Sequence, residues 1–222
     1  SLVHDDLPCM DNDKIRRGKP STHIKYGEST AVLAGNSLLT LAFEILSDPN
    51  FKISEKIKVK LIEKLSKFAG HEGIAGGQFL DLSFEKRKIP KSRIIEMQIK
   101  KTGKLFSFCT MVPSIIKNKN TKIVNKFDKL GSDIGLLFQI KDDLIDYSGS
   151  TKKVGKKTKK DLKKGKDTLI SLLGYKNTIK YASKLKLNIF KRLNKFGNET
   201  QELKRTINYI LERNKWIKNT NI

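Results

Sequence analysis

Apolar residues recur at helical spacing along most of the chain. Residues three or four positions apart lie on one face of an α-helix, so such a series predicts an amphipathic helix. One series near the C-terminal end consists of Leu203, Ile207, Ile210, Leu211 and Ile217. Gly197 would end the helix before it, because glycine readily adopts the left-handed conformation that closes many helices. Asn198, with Gln201 three residues later, would cap the helix that carries the series.

The same periodicity predicts helices in eight parts of the chain. They cover residues 27–47, 54–69, 72–86, 91–117, 120–147, 168–176, 178–196 and 199–218. No strands alternate with them, and neither an internal repeat nor a linker divides the chain. A series of helices without strands packs as a bundle. The sequence therefore predicts an all-α fold and a single helical domain over residues 1–222.

A formal net charge of +23 makes an anionic partner the first hypothesis. Of the 46 basic residues, however, 39 are lysine and seven are arginine. Surfaces that read DNA bases favour arginine, because its planar guanidinium binds guanine through two hydrogen bonds. The abundance of Lys, Asn and Ile instead indicates a codon bias toward A and T. We therefore expect no nucleic-acid partner; a lysine-rich nucleic-acid binder, the alternative, would bind DNA with a steep salt dependence.

The cysteines, the most apolar stretch and a lysine-rich stretch give further expectations about location and local structure. Cys9 and Cys109 stand in no metal-ligand spacing, and isolated free thiols are typical of a reducing compartment, so we expect a cytoplasmic protein. Polar residues interrupt the most apolar stretch, Ala31 to Leu46, so we expect no transmembrane segment. The stretch from Thr151 to Lys166 holds nine lysines and one acid, a composition that predicts a solvated loop.

Asp142, Asp143 and Asp146 form an acidic cluster in the predicted helix 120–147. Together with Gln139 they follow the i, i+3, i+4, i+7 spacing of one helical face. Like charges four residues apart destabilise a helix, so a bound cation would stabilise this arrangement. Carboxylate oxygens suit Mg²⁺, which is commonly shared with substrate phosphates. The alternative is a solvated acidic face.

A second acidic cluster, near the N-terminal end, consists of Asp5, Asp6 and Asp11. Asp5 and Asp11 are six residues apart and so lie roughly 120° away from one face of a regular helix. Pro8 would also clash with a preceding carbonyl in a straight helix. We therefore expect the helix to end or bulge near Pro8 and to bring Asp11 back toward Asp5. Arg16 and Arg17 would form surface salt bridges or, beside a magnesium site, bind diphosphate oxygens.

Together these residues resemble the trans-prenyltransferase family, the farnesyl and geranylgeranyl diphosphate synthases, with the bacterial farnesyl diphosphate synthases as the nearest likeness. The family's first aspartate-rich motif matches Asp5 to Asp11 and continues into Arg16-Arg17-Gly18-Lys19-Pro20. Its second motif matches Phe138 to Asp146. Further matches, in the family's order, are Gly76-Gly77-Gln78 with Asp81, Lys101-Thr102-Gly103, Gly155-Lys156 and Gly165-Lys166-Asp167-Thr168. Each motif alone is weak, but their order over essentially the whole chain is specific.

The resemblance implies an isoprenoid-synthase helical bundle around a central active-site cavity. Two aspartate clusters would face each other there and hold three Mg²⁺ ions, with Asp5, Asp6, Asp11, Asp142, Asp143 and Asp146 as ligands. Arg16, Lys101 and Lys166 would bind the allylic diphosphate, and Arg17 would bind isopentenyl diphosphate. The catalytic residues, beside which the allylic cation would form, would be Lys101, Thr102 and Gln139. Lys156 would belong to a basic flap that closes over the diphosphates.

The reaction that the resemblance implies joins an allylic diphosphate, dimethylallyl or geranyl, to isopentenyl diphosphate. The product would be farnesyl or geranylgeranyl diphosphate, and the small Ser1, about one helical turn before Asp5, fits either product. The departing diphosphate would remove the final proton, so no catalytic histidine is implied. The family is commonly dimeric, so we expect a homodimer.

Departures from the family pattern leave other functions open. The family's early motif for isopentenyl diphosphate would precede Ser1, so we expect the N-terminal helices to be missing from this sequence. Lys159 stands where the family usually has Gly, and Asp167 where it has Ser or Thr; beside Lys166, Asp167 would weaken anion binding. A truncated, non-catalytic partner subunit of such a synthase is therefore one alternative. A terpene cyclase on the same fold is another, although the intact second cluster favours chain elongation.

Overall fold

The computed structural model describes residues 1–148 and 167–212, and most of this part of the chain is helical. The α-helices are α1 (Leu2–Asp5), α2 (Thr22–Tyr26), α3 (Glu28–Ser47), α4 (Glu55–Ala69), α5 (Ile74–Ser83), α6 (Lys91–Gln98), α7 (Lys104–Ile116), α8 (Thr121–Ser148), α9 (Leu169–Leu173), α10 (Tyr175–Leu193) and α11 (Gln201–Glu212). The predicted all-α fold is confirmed.

The helix predicted over residues 91–117 contains a change of helical type. A π-helical segment, Ile99–Gly103, connects α6 to α7 without a break in the helical course. Short π segments inside α-helices are rare and occur frequently at functional sites. This one carries Lys101 and Thr102, two of the predicted catalytic residues.

The C-terminal helices differ from the prediction in their boundaries. Gly174 has a positive φ of 76° and separates α9 from α10, three residues before the predicted break. Gly197, with a φ of 69°, interrupts the helical course as predicted. The predicted cap at Asn198 is wrong, because that residue lies inside a 3₁₀ segment, Asn194–Thr200, and α11 begins only at Gln201.

Periodicity did not predict a small hairpin between α1 and α2. Its strands, β1 (Ile15–Arg16) and β2 (Lys19–Pro20), pair in antiparallel fashion. The two turn residues, Arg17 and Gly18, both have positive φ, at 53° and 77°. Positive φ at both central residues is the requirement of the type I′ turn, whose twist matches that of the paired strands. The hairpin holds the two arginines that follow the first acidic cluster.

The long helix α8 lies at the centre of the larger hydrophobic core. Helices α7, α10 and α11 and the π segment pack against it, and its side chains Leu137 and Ile140 are fully buried. A smaller core forms between α4 and α7 around Leu61, Met111 and Ile115. Because α8 is held on several sides, its orientation is fixed, and so is the direction in which its acidic residues point.

Helix α3 differs from the other long helices because its apolar face has little cover. Only Ala31 and Gly35 are buried, whereas Leu33, Leu38 and Ile45 are each more than half exposed. By length and composition it is also the one helix in residues 1–148 and 167–212 that could cross a membrane.

Candidate active site

A cavity of about 350 Å³ opens among the elements that carry the predicted site residues. The wall is formed by α1, the hairpin, α5, α6 with the π segment, the start of α7, α8 and the residues before α9. Of the thirteen predicted site residues, eleven lie in the described ranges, and all of these except Asp6 line this cavity. The two acidic clusters are therefore brought to one place from opposite halves of the sequence.

The first acidic cluster folds back on itself as predicted. α1 ends at Asp5, before Pro8, and the chain turns so that the Asp11 amide donates a hydrogen bond to the Asp5 carbonyl at 2.9 Å. Asp5 and Asp11 therefore line the cavity side by side, although they are six residues apart.

Asp6 does not line the cavity, in contrast to its predicted place opposite the second cluster. Its side chain is only 3% exposed. Arg16 Nε donates to both of its carboxylate oxygens at 3.1 Å, and Nη2 of the same guanidinium contacts it as well. Burial alone would lower the pKa of Arg16, but the hydrogen bonds and charge of Asp6 raise it. The structure thus gives Asp6 a structural role: it holds Arg16 in place.

The second cluster lies on one stripe of α8, as the spacing predicted. Asp142, Asp143 and Asp146 are each less than a tenth exposed and line the cavity. The alternative of a solvated acidic face is therefore wrong.

The middle residue of this cluster receives two amide hydrogen bonds. Gln98 Nε2 donates to Asp143 Oδ2 at 2.8 Å, and Gln139 Nε2 donates to Asp143 Oδ1 at 2.9 Å. Gln139 Oε1 in turn accepts a hydrogen bond from the Thr102 hydroxyl at 3.0 Å. These contacts connect the second cluster to the π segment.

Lys101 is the cation in the middle of the acidic lining. Its Nζ donates to Asp81 Oδ2 at 2.7 Å and lies 3.9 Å from Asp11 Oδ2. Burial alone would lower the pKa of Lys101, but the carboxylates of Asp81, Asp11 and Asp5 outweigh it and raise that pKa. Lys101 therefore stays protonated at neutral pH.

A glycine lets α5 approach the backbone of Lys101 closely. A Cβ atom on Gly77 would lie 2.2 Å from the Lys101 amide nitrogen, which is closer than any side chain tolerates. Asp81 lies one turn further along α5 and reaches Lys101 because of this close crossing. The glycine of the predicted Gly76-Gly77-Gln78 motif is thus explained by packing.

The described part of the cavity wall is strongly acidic although the protein is strongly basic. Eight aspartates face two arginines and one lysine there, a formal net charge of −5. Burial is the largest influence on the pKa of Asp5 and raises it, and the negative charge of Asp11 raises it further. The positive charges of Lys101 and Arg16 lower this pKa, but the net effect is an increase. Carboxylates that are held together out of water repel one another, and a bound cation would relieve that repulsion.

Comparison with known proteins agrees with this geometry. The family model for polyprenyl synthetase matches residues 1–210. The chain belongs to the polyprenyl synthetase family. It is 38% identical to farnesyl diphosphate synthase of Micrococcus luteus, over 97% of this chain and 73% of that protein. It is 37% identical to geranylgeranyl diphosphate synthase of Cyanophora paradoxa, over 96% of this chain and 72% of that protein.

Solved structures of this family share the fold. The structure resembles a geranyltransferase from Helicobacter pylori in complex with magnesium and isoprenyl diphosphate, with a TM-score of 0.82 and 35% identity. That match covers 95% of this chain and 68% of the other. The predicted family and the prenyltransferase class of the enzyme are confirmed.

The cavity of this polyprenyl synthetase fits Mg²⁺ as an ion that is shared with substrate. Within residues 1–148 and 167–212, no three Asp, Glu, His or Cys side chains form a closed metal cluster by themselves. Mg²⁺ is usually held by one or two carboxylates together with substrate phosphates and water. Asp5 with Asp11, and Asp142 with Asp146, supply carboxylate oxygens at two parts of the wall. The residues therefore fit ions that bind together with a diphosphate.

Lys156 and Lys166, the two lysines of the predicted basic flap, lie outside the described residues, and so does Lys159. Their roles stay predictions. Asp167, the departure from the family pattern, is described and lines the cavity. Its Oδ2 accepts a hydrogen bond from the Ile89 amide at 2.9 Å, and its Oδ1 accepts one from the Ser171 hydroxyl. Asp167 therefore connects the start of α9 to the loop before α6.

Among the polar residues of the cavity wall, sequence reasoning missed Asp13 and Gln98. Asp13 follows the first cluster, and its amide donates to the Asp6 carbonyl at 3.1 Å. Gln98 precedes Thr102 by four residues, the same spacing that separates Gln139 from Asp143. This matched spacing on two helices was the signal in the sequence, but it becomes informative only when the helices are known to be neighbours.

Proposed function

We propose that this protein condenses an allylic diphosphate, dimethylallyl or geranyl, with isopentenyl diphosphate to give farnesyl or geranylgeranyl diphosphate. The observation that carries the proposal is the common cavity of Asp5, Asp11, Asp142 and Asp146 around one partly buried lysine, Lys101. Carboxylates at two parts of the wall suit metal-bridged diphosphate, and the lysine between them supplies a direct contact to the same anion.

Binding of the allylic diphosphate requires cations in addition to the basic side chains. The acidic wall would repel a diphosphate, so Lys101 and Arg16 cannot hold it alone. Mg²⁺ ions, three per site in the proposed enzyme, supply charge neutralisation and favour departure of the diphosphate. Lys101 would move part of its contact from Asp81 to a diphosphate oxygen. Lys166 would contact the same diphosphate, and Lys156 would belong to the flap that excludes water.

Thr102 and Gln139 would stabilise the positive charge on the allylic carbon through the direction of their hydrogen bonds. Gln139 turns its NH₂ group toward Asp143 and its carbonyl oxygen toward Thr102. The Thr102 hydroxyl must then donate its proton to Gln139. The oxygen lone pairs of Thr102 are left for the cavity, where they would face the developing cation.

The prenyl chain would lie against the apolar part of the wall. Leu105, Phe106 and Phe138 line the cavity, and the rings of Phe106 and Phe138 lie 5.4 Å apart. Ser1 and Leu2 also contribute to the wall. The isopentenyl double bond would attack the allylic cation and so lengthen this chain. Arg17 would bind the diphosphate group of isopentenyl diphosphate.

The final proton would leave with the diphosphate that departed in the first step. All three histidines of the chain lie in the described ranges, and none of them lines the cavity. The described wall offers aspartates, which the proposal assigns to cations. The departing diphosphate is therefore the base best placed beside the product.

The exposed face of α3 supports a homodimer. Leu33, Leu38 and Ile45 would be removed from water by the same helix of a second copy. α3 contains Asn36 and Glu44 as well, which favours an interface between proteins over a lipid-exposed membrane span. The proposal therefore includes a cytoplasmic homodimer without a transmembrane segment.

The deciding experiment is a condensation assay with geranyl diphosphate and labelled isopentenyl diphosphate, with and without Mg²⁺. We expect Mg²⁺-dependent product, resolved by length, that is lost in Asp142→Ala. Asp128→Ala is the matched control, because Asp128 lies on α8 but outside the cavity wall. Mg²⁺-dependent binding without product would favour a non-catalytic partner subunit. If the protein shows neither Mg²⁺-dependent binding nor product, the proposal is overturned.

A further inference from the structure

Four polar side chains form a two-rung ladder between neighbouring helices at the cavity wall. On the helix that runs through the π segment, Gln98 and Thr102 are four residues apart; on α8, Gln139 and Asp143 are four residues apart. One rung joins Gln98 to Asp143, the other joins Thr102 to Gln139, and the Gln139–Asp143 hydrogen bond connects the rungs along α8. Every member of the ladder lines the cavity.

The ladder has one fixed direction of proton donation, and Asp143 sets it. Both glutamines turn their NH₂ groups toward Asp143, which accepts a hydrogen bond from each. If either amide were turned over, a carbonyl oxygen would face a carboxylate oxygen. Because the NH₂ group of Gln139 donates to Asp143, its carbonyl oxygen faces Thr102. The Thr102 hydroxyl donates to that oxygen.

Gln98 is the one member of the ladder with a buried side-chain oxygen that has no hydrogen-bond partner among the described residues. The side chain is only 3% exposed, and its carbonyl oxygen is shielded from water with no hydrogen-bond partner among the described residues. A buried carbonyl without a donor is destabilising and rare, so its presence requires a reason. The hydrogen bond to Asp143 is that reason. If the Gln98 amide were turned over so that its carbonyl took another position, the hydrogen bond from Nε2 to Asp143 Oδ2 would be lost.

We propose that Gln98 is a positioning residue for catalysis: it holds Asp143 in the orientation that makes Gln139 present its carbonyl to Thr102. This inference rests on the proposed prenyl transfer. Gln98 and Gln139 donate to different oxygens of Asp143, Oδ2 and Oδ1, and so hold the carboxylate from two helices. Without Gln98 the contact to Oδ2 is lost, and the carboxylate can turn away from Gln139.

The proposal predicts an effect on turnover and not on binding. We expect Gln98→Leu, which keeps the approximate size but removes the donor, to lower kcat about 10- to 100-fold, the usual effect of removing a group that orients a functional residue. The KM values for both substrates, and Mg²⁺-dependent binding of an unreactive geranyl thiolodiphosphate measured by calorimetry, should stay within about twofold, because no ligand contact is removed.

A double-mutant cycle tests whether Gln98 acts through Asp143. In an Asp143→Ala background, Gln98→Leu should change kcat by less than about twofold, because the residue through which it acts is gone. Ser107→Ala is the matched control: it removes a buried hydrogen bond to Ser132 between the same two helices, outside the cavity wall, and should lower thermal stability without changing kcat.

Each result decides between the inference and its failure. The inference is overturned if Gln98→Leu leaves kcat unchanged, if analogue binding falls as much as kcat, or if the losses in the cycle are additive. Failure of the proposed function would be seen in the wild-type protein, which would then show no Mg²⁺-dependent binding or release no diphosphate. The inference about Gln98 would then be wrong as well.

Discussion

Arg16 and Asp6 form a partly buried ion pair in which Nε of the guanidinium bridges both carboxylate oxygens at 3.1 Å. The contact ties the β1–β2 hairpin to the end of α1 and fixes the guanidinium at the cavity wall. The two adjacent aspartates, Asp5 and Asp6, thereby have different roles. Asp6 contacts Arg16, whereas Asp5 lines the cavity, where the proposal assigns it to Mg²⁺.

We predict that Asp6→Ala lowers the free energy of unfolding by about 2 kcal/mol, because it removes charge-assisted hydrogen bonds from a partly buried guanidinium. Urea denaturation of both proteins measures this difference. Arg93→Ala is the control: it breaks the ion pair with Glu96 on the exposed surface of α6 and should cost less than about 1 kcal/mol. Equal costs for the two variants would contradict the structural role of Asp6.

Asp5→Asn should have the opposite effect on stability at neutral pH in the absence of Mg²⁺. Burial, with Asp11 nearby, raises the pKa of Asp5, so the folded state binds a proton at this site more readily than the unfolded chain does. Stability at this site therefore falls as pH rises from the ordinary carboxyl pKa through the raised pKa. The variant removes that loss, so it should be more stable at neutral pH.

The gain from Asp5→Asn should disappear in acid, below the ordinary carboxyl pKa, where Asp5 is protonated in both states. Denaturation curves over a series of pH values test this, and a variant less stable than wild type at neutral pH would contradict it. In the condensation assay the same variant should lose activity by roughly 100-fold or more, because a charge that favours the transition state is removed.

Periodicity was sufficient for the long helices and insufficient for the short elements. The long apolar series of α8 can be recognised from the sequence because it spans several turns, and its burial on several sides follows from its central place. α1 and α2 have four and five residues, too few for a period to be visible. The hairpin depends on positive φ at Arg17, and no local propensity of arginine predicts that conformation.

The acidic clusters could be found from the sequence, but the roles within each cluster could not. Asp5 and Asp6, like Asp142 and Asp143, are chemically identical neighbours. In the folded protein Asp6 accepts a hydrogen bond from Arg16, and Asp143 accepts one from Gln98. Both donors are distant in sequence or lie on another helix, so only the tertiary structure distinguishes them.

Three glycines should respond to alanine in the order of their clearance. The added Cβ would lie 2.2 Å from the Lys101 amide nitrogen at Gly77, 2.6 Å from the Gly103 Cα at Gly135, and 3.2 Å from the Ser132 carbonyl at Gly103. Alanine gains about 1 kcal/mol of helix propensity, whereas overpacking costs about 1–3 kcal/mol.

We therefore expect Gly103→Ala to be nearly neutral, Gly135→Ala to be destabilising, and Gly77→Ala to lose about 2 kcal/mol or more. Thermal unfolding of the three variants gives the order. Gly77→Ala should also raise the KM for the allylic substrate, because α5 must move away from the segment that carries Lys101. A Gly103→Ala variant that is the least stable of the three would show that the helix crossing is different.

Removal of the Lys101 charge should weaken substrate binding more than removal of a neighbouring lysine. Lys101→Met takes away a charge-assisted hydrogen bond to the diphosphate, which corresponds to a rise in allylic KM of about 10- to 100-fold. Lys104→Met is the matched control: Lys104 is three residues further along the same helix, pairs with Asp128 and lies outside the cavity wall. Similar KM values for the two variants would contradict the assignment of Lys101.

Chelation of Mg²⁺ should abolish binding of the diphosphate and not only its turnover. The described wall carries a formal charge of −5, so an allylic diphosphate without metal ions meets a repulsive surface. Calorimetry with unreactive geranyl thiolodiphosphate should show no binding in EDTA, weak binding of Mg²⁺ alone, and tight binding when both are present. Each ligand would strengthen binding of the other by the same factor, as linkage requires. Tight binding of the analogue in EDTA would instead mean that basic side chains hold the diphosphate by themselves, with the aspartates turned away from it.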